Sequence, residues 1–438
     1  MTLPPGPKDN PVDLLSNYPS QKALDLLDAY HAEYGDIFSV KVGAWQSDDE
    51  PMTWVMLTRP DHVKAFFQGD LEVLSASRAN VVLFGEHLPK EGTFAISGET
   101  FKKRKRLVAP PLNGKRIKPF VPYIYQFTLG LARSWEVGQK VNMLKQIHLI
   151  TIETILKTVF GIKEGNKFSH LCSEISKLED QQATEEEKLG AFKILDDVIL
   201  EETKRRKESG DYKTGEDIFS ILLRAKDVEG DGSGLTDQEV HDELWTLLHA
   251  GFGSTSTMIA WVFHSILSHP EVYARVLAEL DEVLGDGPFE QEHLNQLPYL
   301  DAVIKETFRL RPLFLVAGAR QLDAEWEIGG YRLPKDTMVA SCSYILQRRP
   351  ELYENPDQFD PMRYFGKKID PYQWAPFGGG QRKCPGMAFA LQETTVLVAT
   401  ALREVSLSLE NKAFVPTRQG WFVAPDGGPL VTVGEKRR

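Results

Sequence analysis

Phe377-Gly378-Gly379-Gly380-Gln381-Arg382-Lys383-Cys384-Pro385-Gly386 is the stretch on which the reading of this chain turns. Four glycines in ten residues let backbone amides crowd around one sulfur. N–H groups directed at that sulfur stabilise a thiolate and moderate its electron donation, the tuning a metal thiolate requires. Phe377, seven residues before the cysteine, supplies a ring that can lie against a flat cofactor. The apolar run Met387-Ala388-Phe389-Ala390-Leu391 predicts a helix starting at the sulfur, its N-terminal dipole favouring an anion there. Cys172 and Cys342 lack such surroundings and read as small buried hydrophobes.

The 438 residues are enough to bury a large core and enclose a cofactor. A formal charge of −11 argues against a general nucleic-acid binder. Three cysteines give no disulfide framework and fit a reducing compartment, so a cytoplasmic setting is expected. No apolar run reaches the ~20 residues of a membrane-spanning helix. The opening Met1-Thr2-Leu3-Pro4-Pro5-Gly6-Pro7-Lys8 has neither a signal core nor an anchor, and no membrane anchor is expected in this chain.

Strand signals fall at Ile37–Val42 and Thr53–Leu57, with a helical stretch at Gln21–Tyr34 before them. From about 101 to 311 the pattern is almost continuously helical, Leu144–Gly161 having the spacing of a buried helix. The charged loop Asp227-Val228-Glu229-Gly230-Asp231-Gly232-Ser233-Gly234 has the wrong ligand spacing for calcium and reads as a mobile linker. Thr236-Asp237-Gln238-Glu239 then forms a capping box for a helix expected to run to Ser268, on the order of 50 Å at 1.5 Å per residue. Further strands are expected at Trp326-Glu327-Ile328, Gly330–Leu333, Val405–Leu409 and Leu430–Val433.

The decapeptide resembles the haem-binding loop of the cytochrome P-450 family, F-x-x-G-x-x-x-C-x-G with a basic residue two before the cysteine. Phe377, Gly380, Arg382, Cys384 and Gly386 fill that pattern. Three more motifs follow the family's order. Glu306 and Arg309, i and i+3 on one helix face, match its E-x-x-R, and Arg363 matches the arginine that joins them in a structural network. Ala250-Gly251-Phe252-Gly253-Ser254-Thr255 matches [AG]-G-x-[DE]-T-[TS], with Gly253 at the acid position and Ser254 at the threonine position. Phe101-Lys102-Lys103-Arg104-Lys105-Arg106 corresponds to the W/H-x-x-x-R segment. The resemblance spans about residues 20–435 and implies a mainly α fold with small β-sheets, the long central helix lying over the haem. It implies a single domain over 1–438, with 1–20 as an irregular N-terminal extension.

By resemblance the cofactor is haem b, with Cys384 as the iron ligand. Arg382, Arg320 and Lys105 would face its propionates, and Phe377, Gly378 and Gly386 would shape the loop. Lysine binds a carboxylate as a point charge, so Arg104 or Arg106 could contribute in place of Lys105. Ser254, with Thr255 and the altered Gly253, would carry protons. The basic run in an acidic protein would lie on the thiolate side, where an acidic ferredoxin- or flavodoxin-type donor could dock. A monomer is expected.

The implied activity is a monooxygenase that inserts one oxygen atom from O2 into a lipophilic small molecule, such as a terpenoid, steroid or fatty-acyl-like compound. Val82, Phe84, Leu248, Phe252, Leu315, Val316 and Phe422 are expected in the pocket, with Trp421 beside Phe422; nearly all are apolar. Two other readings share the haem. Gly253 also suits a peroxygenase or a hydroperoxide isomerase or dehydratase, which needs no reductant. A non-catalytic haem-thiolate gas sensor is disfavoured by the long Arg78–Thr93 segment and the intact Ala250-Gly251 pair.

Overall fold

Thr236 and Glu239 close a capping box through both of their backbone N–H groups, and the helix that follows, Asp237–Ser268, is 32 residues long. It is the axis of the molecule. The structure, a computed structural model, describes residues 3–7, 21–42, 52–69, 72–85, 88–162, 166–180, 183–413, 415–419 and 422–438. Helix makes up 56% of the chain, so the mainly α expectation holds.

The central helix is apolar on most faces because most of it is covered by other elements. Its second half, Met258–Leu267, packs with Val396–Leu402 of helix Met387–Glu404 and with Leu300–Phe308 of helix Pro298–Leu310. Its first half contributes Leu244, Leu248 and Phe252 to a second cluster with Ile155 of helix Met143–Thr158 and Leu195 and Ile199 of helix Glu185–Ser209. An added methyl at Gly251 would come 2.8 Å from Ile155 Cδ1, so this helical glycine marks a close crossing of two helices.

The sheets lie at the periphery. The largest has five strands in the order Ile37–Val42, Met52–Leu57, Met338–Ser341, Ala317–Leu322, Leu74–Ser75. Lys140–Asn142, Leu430–Lys436 and Val405–Leu409 form a second sheet. Trp326–Ile328 pairs with Tyr331–Leu333, and Pro416–Gln419 with Phe422–Pro425. Within the N-terminal extension, Pro4 and Pro5 are docked: the Ser39 hydroxyl donates to Pro4 O and the Ser39 N–H to Pro5 O. Residues 8–20 lie outside the described residues. Among the described residues no helix is long and apolar enough to cross a membrane.

The Asp227–Gly234 loop is no mobile linker. Asp227 is buried, its N–H bonds Ser233 O at 2.9 Å, and its carboxylate takes two hydrogen bonds from Arg106 at 2.8 and 2.6 Å. Lys103 holds Asp231 at 2.9 Å. The loop's charge pattern is half of a match whose other half lies on the helix Gly98–Val108.

Helix Met387–Glu404 also buries an acid. Glu393 is 1% exposed and its Oε1 has no hydrogen-bond partner among the described residues. Burial pushes its carboxyl up to about 8, with the Thr154 hydroxyl pulling the other way. The folded chain therefore keeps a proton that the unfolded chain, near the ordinary value of 4.5, has lost. Stability should fall as pH rises between those two values, by up to about 1.4 kcal/mol per unit. Glu393→Gln should flatten that slope in denaturant titrations run from pH 5 to about 8. An unchanged slope would mean that the acid is ionised where it lies.

Candidate functional site

Cys384 closes a loop that only glycine-rich sequence can make. Its N–H donates to Phe377 O at 3.0 Å, so the six residues between are enclosed in a turn. Gly378 and Gly380 have φ of +66° and +63°, the left-handed region that favours glycine. At Gly380 a Cβ would also come 2.0 Å from the carbonyl oxygen of Phe67, on the helix Pro60–Gln68. The loop is thus pressed against backbone below it. Helix Met387–Glu404 begins three residues after the sulfur.

The thiol is open to solvent at its edge yet lies deep in the protein, and that depth pushes its pKa above the ordinary value. The Gly386 and Met387 amides and the Lys383 charge pull against the burial. This is the crowding of N–H groups expected from the glycines. A bound cation would reverse the balance and hold the sulfur as thiolate. At Cys342 and Cys172 burial outweighs the nearby backbone amides, pushes both thiols up to about 12 and leaves them inert.

Support comes from the E-x-x-R helix. Glu306 and Arg309 are fully buried and share two hydrogen bonds of 2.7 and 2.8 Å. Arg363 Nε reaches Glu306 Oε1 at 3.2 Å and the Asp360 N–H reaches it at 2.9 Å. Arg309 also donates to Gln347 O at 2.7 Å. The three expected members are therefore brought together, in the core rather than on a surface. From the same helix Lys305 O receives the Trp374 indole N–H at 3.0 Å, and the Phe308 ring stands 5.6 Å from Phe377.

Opposite faces of the central helix differ. Leu248 and Phe252 are buried in the helical cluster, whereas Ala250 is exposed in mid-helix and Ser254 is half-buried. The Ser254 hydroxyl donates to Ala250 O at 2.5 Å. Thr255 is buried, and the carbonyl of Gly253 accepts from the Ser256 and Thr257 hydroxyls at 3.0 and 2.9 Å. Cys384 at the glycine loop and Ala250 in mid-helix are both exposed.

The three cations are placed as follows. Arg382 donates to Thr93 O and Ile96 O at 2.8 and 2.5 Å and stacks 3.5 Å over the Phe101 ring. Arg320 is buried and donates to Gly318 O and Ala319 O at 2.9 and 3.0 Å. Lys105 donates to Gln381 O at 2.6 Å, which joins the basic helix to the cysteine loop. Arg104 and Arg106 are committed elsewhere: Arg104 is 2% exposed between Glu239 and Glu243, and Arg106 holds Asp227. Lys102 and Lys103 pair with Glu99 and Asp231. Four of the five cations are therefore paired with acids and Lys105 is turned to the cysteine loop, which weighs against the expected docking role of this run. Apart from Glu99, the acids that match it are far along the chain, which the local charge count could not reveal.

Of the pocket candidates, Leu315 packs in the sheet core beside Leu24 and Met338, with Val316 half-buried against it. Phe84 is half-buried and stacks on Phe94 at 6.3 Å, and Val82 is half-buried nearby in sequence. Phe422 meets Phe314 edge-on at 5.6 Å. The seven do not form one patch; Phe84, Phe94, Phe314 and Phe422 supply the aromatic surface. Trp421 lies outside the described residues.

A sequence profile of the cytochrome P450 family matches residues 4–433. A Mycobacterium tuberculosis protein described as cytochrome P450 135B1 is 29% identical over 423 residues, covering 93% of this chain and 86% of that protein. Cytochrome P450 137 of the same species is 30% identical over 359 residues, covering 76% and 72%. Among solved structures, retinoic acid-bound cyanobacterial CYP120A1 superposes with a TM-score of 0.80 at 20% identity, over 99% of both chains, which speaks for the fold.

Proposed function

The chain belongs to the cytochrome P450 family and is a haem-thiolate monooxygenase in the general sense; on that premise we propose how its own residues serve the reaction. The cofactor is haem b, bound through the Cys384 thiolate. The observation that carries this reading is the pair of amides, from Gly386 and Met387, turned on a deep sulfur in a closed glycine loop. When bound, haem supplies reductive activation of O2 and transfer of one oxygen atom. The chain binds, orients, excludes water and moves protons.

Phe377, Gly378 and Gly386 set the shape of the thiolate loop. Arg382, Arg320 and Lys105 receive the propionates. Each now donates to backbone carbonyls, and a carboxylate makes the stronger, charge-assisted bond. The Ser254 hydroxyl holds a proton at the exposed face of the central helix, with Thr255 packed behind it and Gly253 supplying only a carbonyl. The substrate is lipophilic, supported by the Phe84–Phe94 and Phe314–Phe422 pairs and by half-buried Val82 and Val316. The protein acts as one domain and as a monomer, in a cytoplasm that keeps its three cysteines reduced.

The electron donor is an acidic ferredoxin or flavodoxin. With four of the five cations of the basic helix paired, its dock moves to a cleft of about 260 Å³ under the cysteine loop, lined by Lys305, Lys367, Lys383, Trp374, Phe377 and Met387. Lys305 pairs with Asp301. Lys367 and Lys383 are exposed with no carboxylate partner among the described residues.

One specific observation favours a second reading. Gly253 puts no acid beside Ser254, which suits a peroxide-driven enzyme that needs no reductant.

The ferrous carbon monoxide complex should show the strongly red-shifted Soret band of thiolate ligation, and Cys384→His should abolish it. A histidine-like band in the native protein would end the assignment. Lys367→Glu with Lys383→Glu should slow reduction by the donor and weaken its dependence on salt, which screens such pairing over about 8–10 Å. Lys102→Glu with Lys103→Glu should leave the rate as it is; the reverse pattern would return the dock to the basic helix. Ser254→Ala should lower the product formed per donor oxidised and Gly253→Asp should raise it, since general acid transfer contributes roughly 10²–10⁴-fold. If neither ratio moves and peroxide alone supports full turnover, the peroxygenase or isomerase reading replaces the first.

A further inference from the structure

The first turns of the central helix hold a cluster that none of these roles uses. His241 Nδ1 lies 2.9 Å from Asp242 Oδ1, and its Nε2 lies 3.0 Å from Asp196 Oδ1. Asp196 belongs to helix Glu185–Ser209 and also accepts the Trp245 indole N–H. Asp242 reaches a third element, its Oδ2 accepting the Glu91 backbone N–H at 2.8 Å, while Gln238 donates to Oδ1 at 2.7 Å. Glu91 opens a strap that runs on through Ile96. At Gly92 a methyl would come 2.6 Å from Thr246 Oγ1, so the strap lies tight against the central helix. The Thr93 hydroxyl donates to Glu243 at 2.6 Å, and the carbonyls of Thr93 and Ile96 receive Arg382 of the cysteine loop. One imidazole thus stands where two helices and the strap are joined.

Ionised carboxylates only accept hydrogen bonds, so a ring with a carboxylate at each nitrogen must carry both protons. The hydrogen bond to Asp242 and then the charge of Asp196 raise the His241 pKa, against the cost of burial. The other charges on these turns are already matched, Arg104 by Glu239 and Glu243, and Asp237 by Lys207. The ring is 15% exposed and Asp196 46%, so solvent can take the proton.

We propose that His241 is a pH-sensitive latch, its imidazolium tying helix Glu185–Ser209 to the central helix and, through Asp242, to the strap that grips Arg382. Loss of one ring proton leaves a lone pair facing a carboxylate. Asp242 keeps its bonds from Glu91 and Gln238, so the half-exposed Asp196 is the partner that lets go. Because the folded pKa is raised, the latch is closed at and below the ordinary histidine range and opens as pH climbs through the raised value. Opening loosens Ala191, Leu195 and Ile199, the buried face of helix Glu185–Ser209, from the central helix.

Hydrogen exchange of the haem-loaded protein, corrected for intrinsic base catalysis, reads the latch directly. Between about pH 6 and pH 9, protection in 185–209 and 88–96 should drop as the raised His241 pKa is passed. Helix Pro270–Leu284 should keep its protection. His241→Gln, which cannot titrate, and Asp196→Asn, on the outer helix, should each abolish the pH step. A step retained in either variant, a step of equal size in Pro270–Leu284, or no step in the native protein would overturn the latch.

Discussion

Glu306 and Arg309 are fully buried, and two charges survive in such a place only when nearly every lone pair and N–H is met. Here they are: Arg363 and the Asp360 amide complete Glu306, while Gln347 O takes a further proton of Arg309. Removing one partner from such a pair costs about 3–5 kcal/mol, because the other charge is left unmatched. The network ties helix Pro298–Leu310 to the irregular chain from 347 to 363. That chain leads directly to the cysteine loop, and Trp374 and Phe377 lean on the same helix. The sulfur's position therefore depends on an ion pair it never touches.

A second constraint sets the charge pattern around the loop. In an acidic chain, the helix Gly98–Val108 carries five cations in succession, and repulsion among them is relieved by acids from two other segments. Asp227 and Asp231 meet it from one side, Glu239 and Glu243 from the other. Lys105 is turned to the cysteine loop itself. Lys367 and Lys383, beside an aromatic and apolar cleft under the cysteine loop, have no carboxylate partner among the described residues.

The central helix shows how glycine and hydroxyl positions divide the work. Gly251 permits the crossing with helix Met143–Thr158, a packing role, and its neighbour Ala250 is left exposed. Gly253 gives only a carbonyl that two hydroxyls cap. Ser254 remains half-buried on the exposed side with its proton engaged to Ala250 O. The acid that would ordinarily stand beside it has no replacement within the helix. Glu393, a buried acid in the helix that follows the cysteine, has its carboxyl pushed up by burial.

The cysteine loop, the capping box at Thr236, the ends of helix Gln21–Tyr34 and the strands at 37–42 and 52–57 were legible in the chain because each is decided by neighbours a few residues apart. Positive φ selects glycine, a hydroxyl caps the third amide after it, and i, i+3 spacing brings Glu306 to Arg309. Sequence alone thus determined the fold class, the glycine turn at Cys384 and the order of the motifs along the chain. What only the tertiary structure decided is which charges are free and which faces look inward. Arg104 meets Glu243 across 139 positions, and Asp196 meets His241 across 45. Leu248 and Ala250, two residues apart, face a core and an opening. Coulomb attraction and desolvation depend on separation and burial in space, and no count of residues along the chain contains either quantity.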